Sequence, residues 1–159
     1  MPPEAVKYIV IHCSATGPTT DIGVTEIERW HRERGFLRIG YHFVIRRDGT
    51  VERGRPLNMP GAHAVGFNNN SVAVCWVGGV DAQSKVRDNR TREQIDTLRL
   101  VVTALTRQFP GAQVVGHRDL SPDRNGDGVI SPNEWLKGCP SFDVKKWWES
   151  AKPQTSSIT

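Results

Sequence analysis

The sequence predicts an α/β domain in which a mixed central β-sheet is flanked by helices on both faces. Three observations carry this. Strand-like apolar runs alternate along the chain with segments of helical period. One pair of strands is joined by a tight turn, so the sheet is not wholly parallel. The first strand contains Tyr8-Ile9-Val10-Ile11, a continuous apolar run of the kind found where a strand is covered on both sides.

Val6 to His12 is the first predicted strand, with His12 at its C-terminal end. Thr25 and Glu28 have the spacing of a capping box, opening a helix that reaches Arg34 and stops at Gly35, where a left-handed residue suits glycine. Tyr41 to Arg47 alternates like a strand, turns through Asp48-Gly49 and returns through Val51. That alternation puts Tyr41, Phe43 and Ile45 on one face and His42 on the other. The turn cluster Asn68 to Ser71 precedes a strand over Val72 to Val77, ended by Gly78-Gly79. Thr91 and Gln94 make a second capping box, behind which Ile95, Leu98, Val101, Val102 and Leu105 fit one buried helix face, until Pro110-Gly111. Val114-Val115 is a short strand delivering His117, and Asp143 to Ser150 is a last helix with Val144, Trp147 and Trp148 turned inward. Residues 152 to 159 read as a disordered tail, leaving residues 1 to 151 as one domain.

A chain of 159 residues buries roughly two thirds of its unfolded surface without disulfide help. Its opening, Met1-Pro2-Pro3-Glu4 and a short apolar-rich run, has the pattern of neither a signal peptide nor a membrane span. The expectation is cytoplasmic synthesis without stable membrane insertion. Cys13, Cys75 and Cys139 form an odd, widely spaced set, against a disulfide framework; the first two lie in apolar strand runs and only Cys139 in a loop. A net charge of +4 favours an anionic partner. The positive residues Arg29, Arg32, Arg34, Arg46, Arg47 and Lys145 are scattered, however, with no aromatic-interleaved stripe, which argues against nucleic acid. No self-association motif is evident, so a monomer is expected.

Residues 117 to 143 hold the densest chemistry. Asp123, Asn125 and Asp127 occupy positions 1, 3 and 5 of an EF-hand-like calcium loop, Gly128 the sharp turn, Val129 the carbonyl position, Ile130 the hydrophobic eighth and Glu134 the last. A solvated acidic turn would account for Asp-Gly but not for Ile130 and Glu134. No amphipathic entering helix precedes Asp123, so this is a single unpaired loop over 123–134, with an affinity between roughly micromolar and millimolar. His12 and His117 each follow a strand, positions that commonly form the crevice of an α/β fold. With Cys139 they make a sensible three-ligand set for a catalytic zinc that leaves the fourth position to water. Spacing alone leaves this open, because strand-end histidines are also commonly structural and no compact His-Glu-x-x-His motif is present.

Five separated blocks carry a resemblance to a known family. They are His12-Cys13-Ser14-Ala15-Thr16, Gly40-Tyr41-His42-Phe43, Arg47-Asp48-Gly49-Thr50-Val51-Glu52, Asn69-Asn70-Ser71 and Cys139-Pro140-Ser141-Phe142-Asp143-Val144. Together, over about residues 7 to 150, the chain resembles the zinc-dependent N-acetylmuramoyl-L-alanine amidases of the T-odd phage lysozyme type, which share the fold of peptidoglycan-recognition proteins. The resemblance implies that His12, His117 and Cys139 are the zinc ligands and that Tyr41 and Lys137 are the catalytic pair. It implies a phage-type endolysin that cuts the bond between N-acetylmuramic acid and L-alanine in peptidoglycan by zinc-activated water, reaching the wall after another protein has permeabilised the membrane. His63, in Pro60-Gly61-Ala62-His63, resembles a histidine lining the substrate groove.

Read without the family, Tyr41 is a packed strand aromatic and Lys137 a solvated loop charge. Lys137 and Cys139 are two apart, so an extended segment would turn both to one side, where the ammonium could stabilise an oxyanion. Glu134 lies shortly before both, so calcium would brace the zinc site. Two alternatives belong to other classes. A non-catalytic peptidoglycan-binding module typically loses the cysteine ligand, which this chain keeps. Some T-odd phage lysozymes also inhibit the phage RNA polymerase, and co-purification with a cognate polymerase would reveal that partner.

Overall fold

Five short strands form one sheet: β1 (Tyr8–Cys13), β2 (Phe43–Ile45), β3 (Val51–Arg53), β4 (Ser71–Trp76) and β5 (Gln113–Gly116). Their order across the sheet is β3-β2-β4-β1-β5. The structure is a computed structural model that describes residues 5–122, 124–127, 130 and 138–153. β4 lies at the centre, parallel to β2 on one side and β1 on the other; β1 is also parallel to β5, and β2 is antiparallel to β3. The helices are α1 (Val24–Glu33), α2 (Arg92–Gln108) and α3 (Val144–Ala151). None of the described helices is long and apolar enough to cross a membrane.

Strand periodicity divides the side chains into two layers. Ile9, Ile11, Cys13, Ile45, Val72, Val74 and Trp76 form one apolar layer with Leu98, Val102 and Leu105 of α2 and Val144 of α3. Full burial of each large aliphatic there contributes about 1.5–3 kcal/mol. The opposite layer is smaller: Val44, Val77 and Ile39 pack with Ile22 and Ile27 of the α1 side, and Trp30 and Tyr41 lie against them. The mixed sheet with helices on both faces follows the sequence expectation.

Several elements form as expected. Gly35 takes φ +94° at the end of α1, and Gly49 takes φ +88° in the β2–β3 turn. The Thr91–Gln94 capping box is present, Thr91 Oγ1 accepting the Gln94 N–H at 3.1 Å. Gln94 is fully buried and also donates from Nε2 to the Val77 carbonyl at 2.8 Å, tying α2 to the end of β4. Asp143 caps α3 through the Lys146 N–H. Trp147 and Trp148 pack inward against the apolar layer, Trp147 edge-on to Phe142 at 5.9 Å.

Two expectations are corrected. The cap of the first helix lies two residues earlier, at Gly23 rather than Thr25. Glu26 accepts the Gly23 N–H and Glu52 accepts the Val24 N–H, so the exposed N–H groups are met without Thr25 and Glu28, and Thr25 sits inside the first turn. Tyr41 does not share a face with Phe43 and Ile45. β2 begins only at Phe43 and the chain bends at His42, so strict alternation does not reach back to Tyr41, which packs beside Val44 instead. That bend turns Tyr41 toward His12.

Candidate metal centre

His12 is the penultimate residue of β1 and alternates with Ile11 and Cys13, so it faces away from the large apolar layer. It is only 1% exposed. His117 immediately follows β5 and opens a single 3-10 turn, His117–Leu120. β1 and β5 are adjacent and parallel, so both histidines emerge at the same edge of the sheet, with ring centroids 4.5 Å apart.

Cys139 arrives from far along the sequence, and its loop is held from several sides. The Trp76 indole N–H donates to the Pro140 carbonyl at 3.1 Å, the Arg118 N–H donates to the Cys139 carbonyl at 2.9 Å, and the Ser141 hydroxyl donates to the Gly79 carbonyl at 2.8 Å. Pro140 sits directly on β5: a Cβ at Gly116 would lie 2.8 Å from Pro140 Cδ, so a side chain there would push the loop away. The Cys139 Sγ accepts the Cys13 backbone N–H at 3.1 Å and lies 3.8 Å from His12 Nδ1. Ligand atoms of His12, His117 and Cys139 all fall within 4.8 Å of one another, the one such cluster of potential metal ligands found among the described residues.

The donor set fits zinc. Tetrahedral Zn–N and Zn–S bonds set donor atoms about 3.3–3.8 Å apart, close to the His12–Cys139 separation. Burial is the main cause that pushes the Cys139 thiol well above its usual range, so a thiolate here calls for a cation beside it. The Cys13 N–H already points at that sulfur.

The three ligands open onto a cleft of about 590 Å³, also lined by Tyr41, His63 and Arg34. The Tyr41 ring lies 5.0 Å from His12, and burial raises its phenol well above the ordinary value, so the hydroxyl is protonated at neutral pH and available as a donor. His63 lies against His12, its Nδ1 2.8 Å from His12 Nε2 and its Nε2 2.8 Å from the Ser71 hydroxyl. Burial foremost, with neighbouring His42, His117 and Arg55, lowers the His63 pKa to about 3, so it is neutral. His31 and His42 have partners within the fold: His31 Nδ1 accepts the Gly40 N–H, while His42 accepts from Ala73 N–H and pairs with the Met59 carbonyl.

His12, His117, Cys139, Tyr41 and His63 thus share one cleft. Lys137 lies outside the described residues, as do Asp123, Val129 and Glu134 of the predicted calcium loop. Asn125 and Asp127 are exposed, the Asp127 N–H donating to Asn125 Oδ1 at 3.2 Å. Sequence reasoning missed Ser71, the Cys13 N–H and Asn68, whose Oδ1 accepts both the His63 and Ala64 N–H groups. The Asn68–Ser71 cluster was legible as a turn, but nothing in it indicated a histidine partner.

Three convergent N and S donors beside an open cleft, at the strand ends of a mixed sheet, define a mononuclear zinc hydrolase. A family model described as N-acetylmuramoyl-L-alanine amidase matches residues 2–132. The chain belongs to that amidase family. It is 46% identical over 153 residues to the endolysin of Klebsiella phage KP32, covering 96% of this chain and 92% of that one. It is 43% identical over 153 residues to the endolysin of Escherichia phage T7, with the same coverage. Among solved structures, the N-acetylmuramoyl-L-alanine amidase LysC from Clostridium intestinale superposes with a TM-score of 0.70 at 24% identity, covering 93% of this chain and 86% of that one, a likeness of fold.

Proposed function

We propose that this protein is a phage-type endolysin that hydrolyses the amide joining the lactyl group of N-acetylmuramic acid to the L-alanine of the peptidoglycan stem. The observation that carries this reading is the convergence of His12, His117 and Cys139 beside a cleft, in a chain of the amidase family. Zinc held by these residues supplies Lewis acidity and makes water a competent nucleophile near pH 7. The chain's own groups do the rest. Two neutral imidazoles and one thiolate leave the centre with a net charge of about +1. The Tyr41 hydroxyl, kept protonated by burial, donates a hydrogen bond to oxygen at the reacting carbonyl. Lys137, two residues before Cys139, is assigned to the developing oxyanion on the family pattern and on its place in the sequence.

Digestion of purified sacculi by zinc-loaded protein, followed by mass spectrometry, tests the reading. Stem peptides with a free N-terminal L-alanine are expected. Sacculi that stay intact while retaining the zinc-loaded protein would replace it with a non-catalytic binding module. Synthesis in the host cytoplasm and action on the wall after membrane permeabilisation belong to the same proposal.

A calcium ion on Asp123, Asn125, Asp127, the Val129 carbonyl and Glu134 is a second part of the proposal, supported by the sequence pattern. Titration with calcium in a calorimeter and melting with and without a selective chelator test it. Identical melting and hydrolysis in both conditions would remove calcium from the account.

A further inference from the structure

The cleft holds a hydrogen-bonded chain whose direction can be read from its far end. A backbone carbonyl only accepts, so the Ser71 hydroxyl, 2.6 Å from the Phe67 carbonyl, must donate to it. With its hydrogen committed, Ser71 Oγ accepts from His63 Nε2 at 2.8 Å, and that nitrogen carries the proton. His63 Nδ1 is then a lone pair, and His12 Nε2, 2.8 Å away, must be the donor. The remaining nitrogen of a neutral His12 is Nδ1, which points toward Cys139 Sγ at 3.8 Å.

We infer that His63 and Ser71 form a relay that locks His12 in its Nε2–H tautomer, presenting the Nδ1 lone pair to the metal, and that His63 is a positioning residue acting through His12. The inference rests on the zinc-amidase reading. The relay is held on every side. Ser71 is fully buried at the start of β4 and sits on the His12 face of the sheet, opposite Val72. Asn68 Oδ1 pins the His63 and Ala64 N–H groups at 2.9 and 3.0 Å. The ring lies so close over the loop that a Cβ at Gly61 would come within 2.5 Å of His63 Cδ2. Both ring nitrogens of His63 are thereby engaged within the fold. A partner on the non-coordinating nitrogen orients a histidine ligand and raises its basicity, and loss of such partners weakens metal binding by about 10- to 100-fold.

Two measurements test this without using activity. Long-range 1H–15N correlation spectra of the metal-free wild-type protein are expected to show His12 as the Nε2–H tautomer. Zinc affinity, measured by competition with a chromophoric chelator, is expected to fall about 10- to 100-fold in His63→Ala. His63→Asn places an acceptor oxygen where Nδ1 stood and is expected to recover most of that loss. Far-ultraviolet circular dichroism verifies folding, and the wild-type spectrum depends on no variant. A His12 Nδ1–H tautomer overturns the relay. So does a folded His63→Ala whose affinity stays within about twofold of wild type, or a His63→Asn as weak as the alanine variant. Wild-type protein that binds no zinc overturns the metal-centre reading and the relay with it, whereas normal wild-type binding with an unaffected His63→Ala overturns the relay alone.

Discussion

Against α2 and α3, β1 and β4 present Ile9, Ile11, Val72, Val74 and Trp76, all with 0% exposure. On the other face the same two strands present Val10, His12, Ser71, Ala73 and Cys75, also buried but mostly polar or small. The first face excludes water mainly with bulk, the Trp76 indole N–H to the Pro140 carbonyl being its directional bond among these residues. The second leaves room for a cleft, and its buried polar groups are held by directional bonds: His42 to Ala73 and Met59, Ser71 to Phe67 and His63, His12 to His63. Burying such groups is tolerable only when each has a partner. The difference teaches that stability and chemistry are separated by one residue along a strand, so adjacent positions have different failure modes.

The largest effect that tests this separation is loss of a ligand. Cys139→Ala is expected to abolish zinc binding and lower sacculus hydrolysis by about 1,000-fold or more, since the Lewis acid is gone, while the metal-free protein keeps its circular dichroism spectrum. A metal-free, unfolded Cys139→Ala would show that the second face is also structural. Next is Leu98→Ala on the first face, expected to lose about 2–5 kcal/mol in urea denaturation through the cavity it leaves. Zinc affinity and turnover per folded molecule should be unchanged, and a fall in either would break the comparison.

Tyr41→Phe keeps the ring that packs on His12 and removes only the donor. Hydrolysis should drop roughly 10- to 100-fold with the melting temperature nearly constant, as expected for one hydrogen bond to a developing charge. A fourth test uses pH. Burial lowers the His42 pKa below its unfolded value near 6.5. Above that pH both states are neutral and His42 contributes no slope; below it the unfolded chain takes up the proton first. Stability of the metal-free protein therefore falls as pH falls, with His42 adding at most about 1.4 kcal/mol per pH unit. Comparing wild type with His42→Gln between pH 6.5 and 5 isolates this contribution, which should vanish in the variant. The smallest effect is Asp143→Ala, which removes the cap of α3 and should cost about 1 kcal/mol by thermal melting, with zinc affinity retained.

Much of the fold was legible because it is local. The run Tyr8 to Ile11, the Asp48-Gly49 turn, the Thr91–Gln94 box and the period of Leu98, Val102 and Leu105 each state their structure within a few residues. The two misreadings have different origins: Gly23 caps α1 because Glu26 meets the Gly23 N–H and Glu52 the Val24 N–H, whereas the bend at His42, a local feature, reverses the side of Tyr41. Glu52 is distant in sequence from Val24, so no window on the helix would contain it. At the site, His12 and His117 were marked by their positions after strands and Cys139 by its place in a loop, while the family resemblance implied the ligand set and the roles of Tyr41 and His63.

The sequence by itself determined the alternation of strands and helices, the family, and the residue types able to hold zinc, because periodicity, turn chemistry and motif order are properties of the chain. Only the tertiary structure decided that β5 lies beside β1, that Pro140 rests on Gly116 so that Cys139 Sγ reaches the His12 edge, and that Ser71 and His63 stand behind His12. These are contacts between residues far apart in the chain, and their directions are set by sheet register and by which carbonyls and N–H groups remain to be satisfied once the strands have paired.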